Sequence, residues 1–249
     1  MKYHSLALLA ALTAAPAAAA VPDWSGVWLP SIPEENAAID ASSPPWTPAA
    51  KAQIDALEAD EDAGRPKGLF VNCLPEGTPS WMLISHNAVE FLITPGRVTL
   101  LGESDGNRLR RIYTDGRPHQ TDPDPSFFGD SIGHWEGQTL VVDTIAVLPE
   151  VYLAISEAAG VSNNGDLRVT ERIHLLKPGL LADDLAITAP HVLTRTWKIT
   201  SLFHRLPGAN NTIEEGVCLA GSYNESKDAR GNSVFVPIPQ SQFGNPKPE

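Results

Sequence analysis

The chain has 249 residues, 42% hydrophobic and 19% charged, and 30 acidic groups against 18 Lys and Arg give a formal net charge of -12. An acidic balance of this size argues against nucleic acid or an anionic membrane as a partner, because both require a basic footprint. The length suits one all-β domain with elaborations and does not call for two.

Residues 1–20 read MKYHSLALLAALTAAPAAAA: a lysine, an apolar run from Leu6 to Ala15, then small residues ending at Ala20. This is the pattern of a secretory signal peptide cleaved after Ala20, with an apolar core too short to span a bilayer. The expectation is a periplasmic, soluble protein without a membrane anchor, in which residues 21–249 form a single β-barrel domain. Next, VPDWSGVWLPSIP offers a short strand from Ser25 to Leu29, with Trp24 and Trp28 as core or barrel-end side chains. A proline-rich connection follows, up to Pro48. Thr47 and Pro48 form an N-cap and first-turn pair, and Ile54 and Leu57 supply one narrow apolar face, which predicts a helix over 48–62.

From Gly68 onward the chain reads as strand and turn. VNCLPEGTPSWMLI places two short runs around a turn, and residues 88–116 give three strands separated by Pro95-Gly96 and Asp105-Gly106. TLVVDTIAVLP, LRVTERIHLLKPG, LADDLAITAP, LTRTWKITSLFHRLPG and TIEEGVCLAG continue the series. Consecutive strands with short turns predict an antiparallel meander, and eight or more of them are best satisfied by closing into a β-barrel. Val151 to Gly160 reads as a short helix over one mouth, and the tail from Ala229 as an extended surface segment. Cys73 and Cys218 are the two cysteines. Export favours a disulfide between them, closing a loop of about 145 residues that stabilises by roughly 4–5 kcal/mol in the chain-entropy model.

The unusual chemistry is concentrated between Arg108 and Thr144. There a strand, RLRRIYTD, leads through a long polar loop to a second strand, TLVVDT. Alternation puts Arg111, Tyr113 and Asp115 on one face of the first strand and Arg110, Ile112 and Thr114 on the other. If the first face points inward, Arg111 can hold a carboxylate bidentately and Tyr113 can exchange a proton at a phenolic oxygen. An Arg111–Asp115 ion pair, or a face turned to solvent, are the alternatives. His119, beside Arg117 and a run of aspartates, is the candidate general acid or base, with His134 second. Trp135 reads as a barrel plug or a substrate contact. Glu171 shares its face with Val169 and Ile173, so it is the candidate inward carboxylate, as a base or as the partner of an interior arginine. No zinc, calcium or phosphate-loop pattern and no nucleophile elbow occurs, so no metal or cofactor is expected.

DWSGVW, CLPEGTP, EFLITPGRVTLL, RRIYTDGR followed by His119, WEG-TLVVDT, VTERIHL and a late T-W element resemble a family of exported sphingomonad and acidobacterial proteins, most of them uncharacterised. The resemblance spans nearly the whole chain after residue 20. It implies a lipocalin-like β-barrel and, for some members, cofactor-independent decarboxylation of lignin-derived, phenylcoumaran-type carboxylates. This chain departs from the family pattern at Gln138, Gln120, Ala189 and Thr196. Two functions follow as expectations. One is a carbon–carbon lyase acting on a small aromatic carboxylate, with Arg111 and Asp115, together with Trp135 and His134, binding it and Tyr113, His119 and Glu171 moving protons. The other is a lipocalin-like carrier that uses the same groups to orient its ligand. Oligomeric state is left open between monomer and homodimer.

Overall fold

The computed structural model describes residues 24–66, 68–70, 73–208, 212–216, 223–227 and 233–237. The expected signal peptide and Cys218 lie outside these residues, so the Cys73–Cys218 pairing does too. Nine strands close into a barrel: β1 (Gly26–Pro30), β2 (Val89–Thr94), β3 (Arg97–Gly102), β4 (Leu109–Tyr113), β5 (Asp130–Glu136), β6 (Thr139–Ile145), β9 (Arg168–Lys177), β10 (Leu180–Thr188) and β11 (Trp197–Arg205). Two small hairpins lie outside the barrel, β7 (Tyr152–Ala154) with β8 (Gly160–Ser162), and β12 (Tyr223–Lys227) with β13 (Ser233–Pro237). The all-β barrel expected from the strand pattern is the observed architecture.

An odd number of strands constrains the closure. Going once around a ring of nine, direction must reverse an even number of times, so the ring cannot be antiparallel throughout. The parallel join is β4 with β5, through Ile112–Ser131 and Tyr113–Ile132. The eight other neighbouring pairs are antiparallel. Parallel neighbours in sequence require a crossover of a dozen or more residues, which explains the long polar loop at 114–129. Two glycines make the return fit. Gly129 has φ +69°, and a Cβ there would lie 2.4 Å from the Ile145 carbonyl oxygen. A Cβ on Gly133 would press to 3.0 Å on both Ile112 Cγ2 and the Val141 carbonyl oxygen.

Apolar side chains fill the interior. Trp28, Phe91, Leu100, Ile112, Leu140, Trp197 and Phe203 are each at most 2% exposed, and burial of such a group contributes about 1.5–3 kcal/mol. Trp24 packs 5.3 Å from Phe91 and 5.7 Å from Trp135 between ring centroids. Of the two readings of the tryptophan pair, core filling is what the burial of Trp24 and Trp28 shows. Helix α2 (Pro48–Asp62) forms as its cap predicts, with Thr47 Oγ1 accepting from the Ala50 N–H at 3.3 Å.

Four local expectations are corrected. The proline-rich connection contains a helix, α1 (Ile32–Ala41), because Pro33 falls in the first turn, where its missing N–H costs nothing. Val151–Gly160 belongs to the β7–β8 hairpin and not to a helix, and the run after the Pro-Glu-Gly-Thr-Pro turn folds as a helical turn, α3 (Ser80–Leu83). Tertiary burial decides the last case: all four α3 residues are buried, with Trp81 against Phe128 at 5.2 Å. Residues 212–216, expected to begin a strand, lie in irregular backbone instead.

Helix α1 is fastened to β11 through Glu34–His204 at 2.6 Å and through the Trp197 indole N–H donating to the Ser42 carbonyl at 2.5 Å. Its Glu35 turns inward, 5% exposed, with Oε2 lacking a hydrogen-bond donor and His86 no nearer than 3.7 Å. Burial pushes this carboxyl from 4.5 up to about 8. The folded state therefore keeps a proton that the unfolded chain has released above about 4.5, so stability should fall as pH rises from about 4.5 to about 8. Glu35→Gln should flatten that slope and raise the thermal midpoint at pH 8 by about 2–4 °C. Thermal unfolding at pH 5 and pH 8 measures this, and parallel slopes for the two proteins would refute it.

Candidate functional site

Alternation along the strands carries a polar layer into the barrel. Arg110 (β4), Ser131 (β5), Thr144 (β6), Glu171 (β9), Asp183 (β10) and Ser201 (β11) are all at most 5% exposed. Arg110 Nη1 donates to Glu171 Oε1 at 2.7 Å and Nη2 to Oε2 at 2.5 Å, a fork-on-fork pair. Nη2 also reaches Thr144 Oγ1 at 3.0 Å and Ser131 Oγ at 3.3 Å, and these two hydroxyls are 2.8 Å apart. Burial works against the Arg110 charge, and the Glu171 carboxylate outweighs it, holding the guanidinium above its ordinary value. Burial and the Glu171 charge push Asp183 well above the usual carboxylate range, with Arg110 pulling the other way. Neither Asp183 oxygen receives a hydrogen bond. Burial thus favours the neutral form of Asp183, and the Arg110 charge faces that of Glu171.

The sequence placed Glu171 inward, and it is there. The arginine it meets is Arg110, not Arg111. Arg111 and Asp115 are exposed and Tyr113 is half-buried on the outer side of β4, so the face assumed for the cavity is the opposite one. Period two cannot say which face is inside. The apolar neighbours do: Ile112 pairs with Val98 and Arg110 with Leu100, all four buried.

The exterior holds a second network. The two His119 ring nitrogens lie 2.9 Å from Asp130 Oδ2 and 3.1 Å from Asp143 Oδ2. With both nitrogens so occupied, His119 ties the crossover loop to β5 and β6 and has no free nitrogen for a substrate. The Gln120 N–H donates to the same Asp130 oxygen at 3.1 Å. Arg168 grips Asp143 at 2.6 and 2.7 Å. Against partial burial, Arg168 and His119 hold the Asp143 carboxyl below its ordinary value. Asp115 is paired with Arg117, whose guanidinium lies 4.0 Å over the Tyr113 ring. His134 points to solvent beside Glu136 at 3.2 Å, while Trp135 faces inward. Thus Tyr113, His119 and Glu171 are not brought to one point: the first two are outside, the third is sealed within.

The crossover does open a cleft. Leu109–Arg111 continue β4 beyond its pairing with β5 while remaining paired to β3. Along this open edge lies a cavity of about 570 Å³, lined among others by Arg108, Arg110, Arg111, Tyr113, Phe127 and Phe128. Asp124 and Asp130 also line it, and Asp130 Oδ2 lies 2.9 Å from His119 Nδ1. Asn107, at one side, receives and donates hydrogen bonds of 2.8 Å with the C-terminal segment at Gly216 and Glu214. Two lining arginines carry an unusual feature: Arg108 Nε and Arg110 Nε are both buried without a hydrogen-bond acceptor. Such an orphaned buried donor costs on the order of 1–3 kcal/mol. Arg108 and Arg110 were absent from the sequence-based set. Alternation with Ile112 was the signal that could have found Arg110.

No family model matches the chain, and no curated protein does. Among solved structures, the REP1-NXSQ fatty acid transporter is similar over 75% of this chain and 98% of its own, at a TM-score of 0.36 and 9% identity.

The interior layer makes a specific stability prediction. Glu171→Gln leaves a buried guanidinium without its counter-charge and should cost about 3–5 kcal/mol in urea unfolding. Asp183→Asn should cost far less. It should also abolish a stability loss that wild type shows as pH rises above the unfolded carboxyl value through the raised folded one, because the folded protein alone keeps that proton. Equal costs for the two variants would contradict the assigned charge states.

Proposed function

We propose that the protein is a ligand-binding barrel whose ligand is a small aromatic carboxylate, held in the cleft along the open edge of β4. The observation that carries this reading is the convergence of three arginines with Tyr113, Phe127 and Phe128 on one cavity of about 570 Å³, a size suited to a small molecule. Arg111, exposed on the strand, is the group that takes the carboxylate from solvent; its planar fork matches two carboxylate oxygens. Tyr113 and the two phenylalanines supply aromatic faces for the ring. Export, if the first twenty residues act as a signal peptide, would place this binding in the periplasm.

The decarboxylase reading shares this binding step and adds chemistry. It asks Tyr113, His119 and Glu171 to move protons at one ligand. Tyr113 lines the cleft, but Glu171 is 0% exposed in the Arg110 fork and His119 is held between two carboxylates. The geometry therefore supports binding ahead of turnover.

Calorimetric titration with benzoate should show saturable one-to-one binding, weakened about tenfold by Arg111→Gln, since the loss of a charged hydrogen-bonding partner is worth roughly 1.5 kcal/mol or more. Absence of binding to benzoate and to larger aromatic acids would sink the proposal. Release of CO2 from a phenylcoumaran-type carboxylate in the presence of chelator would instead establish the lyase.

A further inference from the structure

We infer that the cleft pairs with its ligand through the backbone edge of β4 as well as through Arg111, and that the ligand is an N-acylated aromatic amino acid. The inference rests on the binding reading above and specifies its ligand class.

The alternation of hydrogen bonds along β4 identifies the backbone groups left over. Toward β3, the Arg108 carbonyl accepts from the Gly102 N–H at 2.9 Å, and the Thr114 N–H donates to the Gly96 carbonyl at 2.9 Å. Arg110 and Ile112, which share that parity, turn their backbone groups to β3 in register with Leu100 and Val98. Leu109 and Arg111 therefore turn theirs the other way, toward the side of β5. The seam with β5 begins only at Ile112–Ser131. Leu109 thus presents an N–H and a C=O on one side, with no strand opposite among the described residues. It is 37% exposed and lines the cleft, so this edge is within reach of a ligand.

An open strand edge is recognised by another extended backbone. In an antiparallel hydrogen-bonded pair each residue gives one bond and takes one, so the complement of Leu109 is a donor and an acceptor flanking a single carbon. An α-amido acid has that arrangement. Its amide N–H donates to the Leu109 carbonyl, and one carboxylate oxygen accepts from the Leu109 N–H. The second oxygen meets the Arg111 guanidinium, whose long side chain starts only about 7 Å along the strand. Phe127 and Phe128, in the cleft wall, receive the aromatic side chain. An acylated nitrogen suits the site better than an ammonium, because it donates without bringing a positive charge beside Arg111. Benzoate engages Arg111 and leaves the Leu109 carbonyl unused.

Calorimetry on the full chain with N-acetylphenylalanine, its N-methyl derivative, 3-phenylpropanoate, phenylalanine and benzoate tests the inference. N-acetylphenylalanine should bind about tenfold more tightly than 3-phenylpropanoate, which has the same ring and carboxylate but no amide, and N-methylation should reduce that gain to less than threefold. Leu109→Pro deletes the edge N–H and keeps the carbonyl and the three arginines, so it should also reduce the gain. Proline is tolerated on an open edge, and Arg108, at φ -62° and ψ 146°, already has the conformation required before a proline. If benzoate binds and N-acetylphenylalanine binds no better than 3-phenylpropanoate, the backbone pairing is overturned and the carboxylate reading stands. If none of the acids binds, both fail. Tighter binding of phenylalanine than of its N-acetyl form would overturn the amide assignment, as would a gain that survives N-methylation. Should Leu109→Pro not fold by circular dichroism, the N-methyl comparison on wild type decides by itself.

Discussion

The pairing of Arg110 with Glu171 across the barrel interior is the constraint to which the other features answer. A guanidinium that is 1% exposed and a carboxylate that is 0% exposed can be tolerated only in registered geometry with further hydrogen bonds to the pair. Ser131 and Thr144 serve that purpose from β5 and β6, and Asp183 is accommodated by keeping its proton. Because the pair joins β4 to β9 across three intervening strand joins, it specifies how the sheet wraps as well as how its charges balance. A slip of β4 by one residue would turn Arg110 outward and leave Glu171 buried without its partner.

The wrapping has a topological remainder. Nine strands leave one parallel join, and a parallel join between sequence neighbours needs a long return. That return is the crossover at 114–129, fastened by His119 to Asp130 and Asp143 and backed by Arg168. It rejoins the sheet at Gly129, beyond the first three residues of β4, and the cleft is the space left between. The concentration of Asp, Pro and Gly in this stretch thus serves a structural purpose first. Binding chemistry sits at its margin, on β4 itself and on Phe127 and Phe128.

Much of this was legible in the residues. Thr47-Pro48 marked the start of α2, the glycine-centred turns marked the hairpins, and Val169, Glu171 and Ile173 announced an inward carboxylate. The parallel seam was not legible, because period-two patterning is the same for parallel and antiparallel neighbours. Trp81 also misled: its apolar run suits a strand or a buried helical turn, and contact with Phe128 and Gly102 selects the second. His119 had the composition of a catalytic histidine, yet its two carboxylate partners come from strand positions 11 and 24 residues away.

The amino-acid sequence by itself determined that this chain builds a closed β-barrel, where its arginines cluster, and that Glu171 turns inward, because these follow from local alternation and turn chemistry. Only the tertiary structure decided that Arg110 and not Arg111 meets Glu171, and that β4 leaves an open edge. The physical reason is that alternation fixes which residues share a face, whereas closure and packing decide which face is buried and which strand ends are left unpaired.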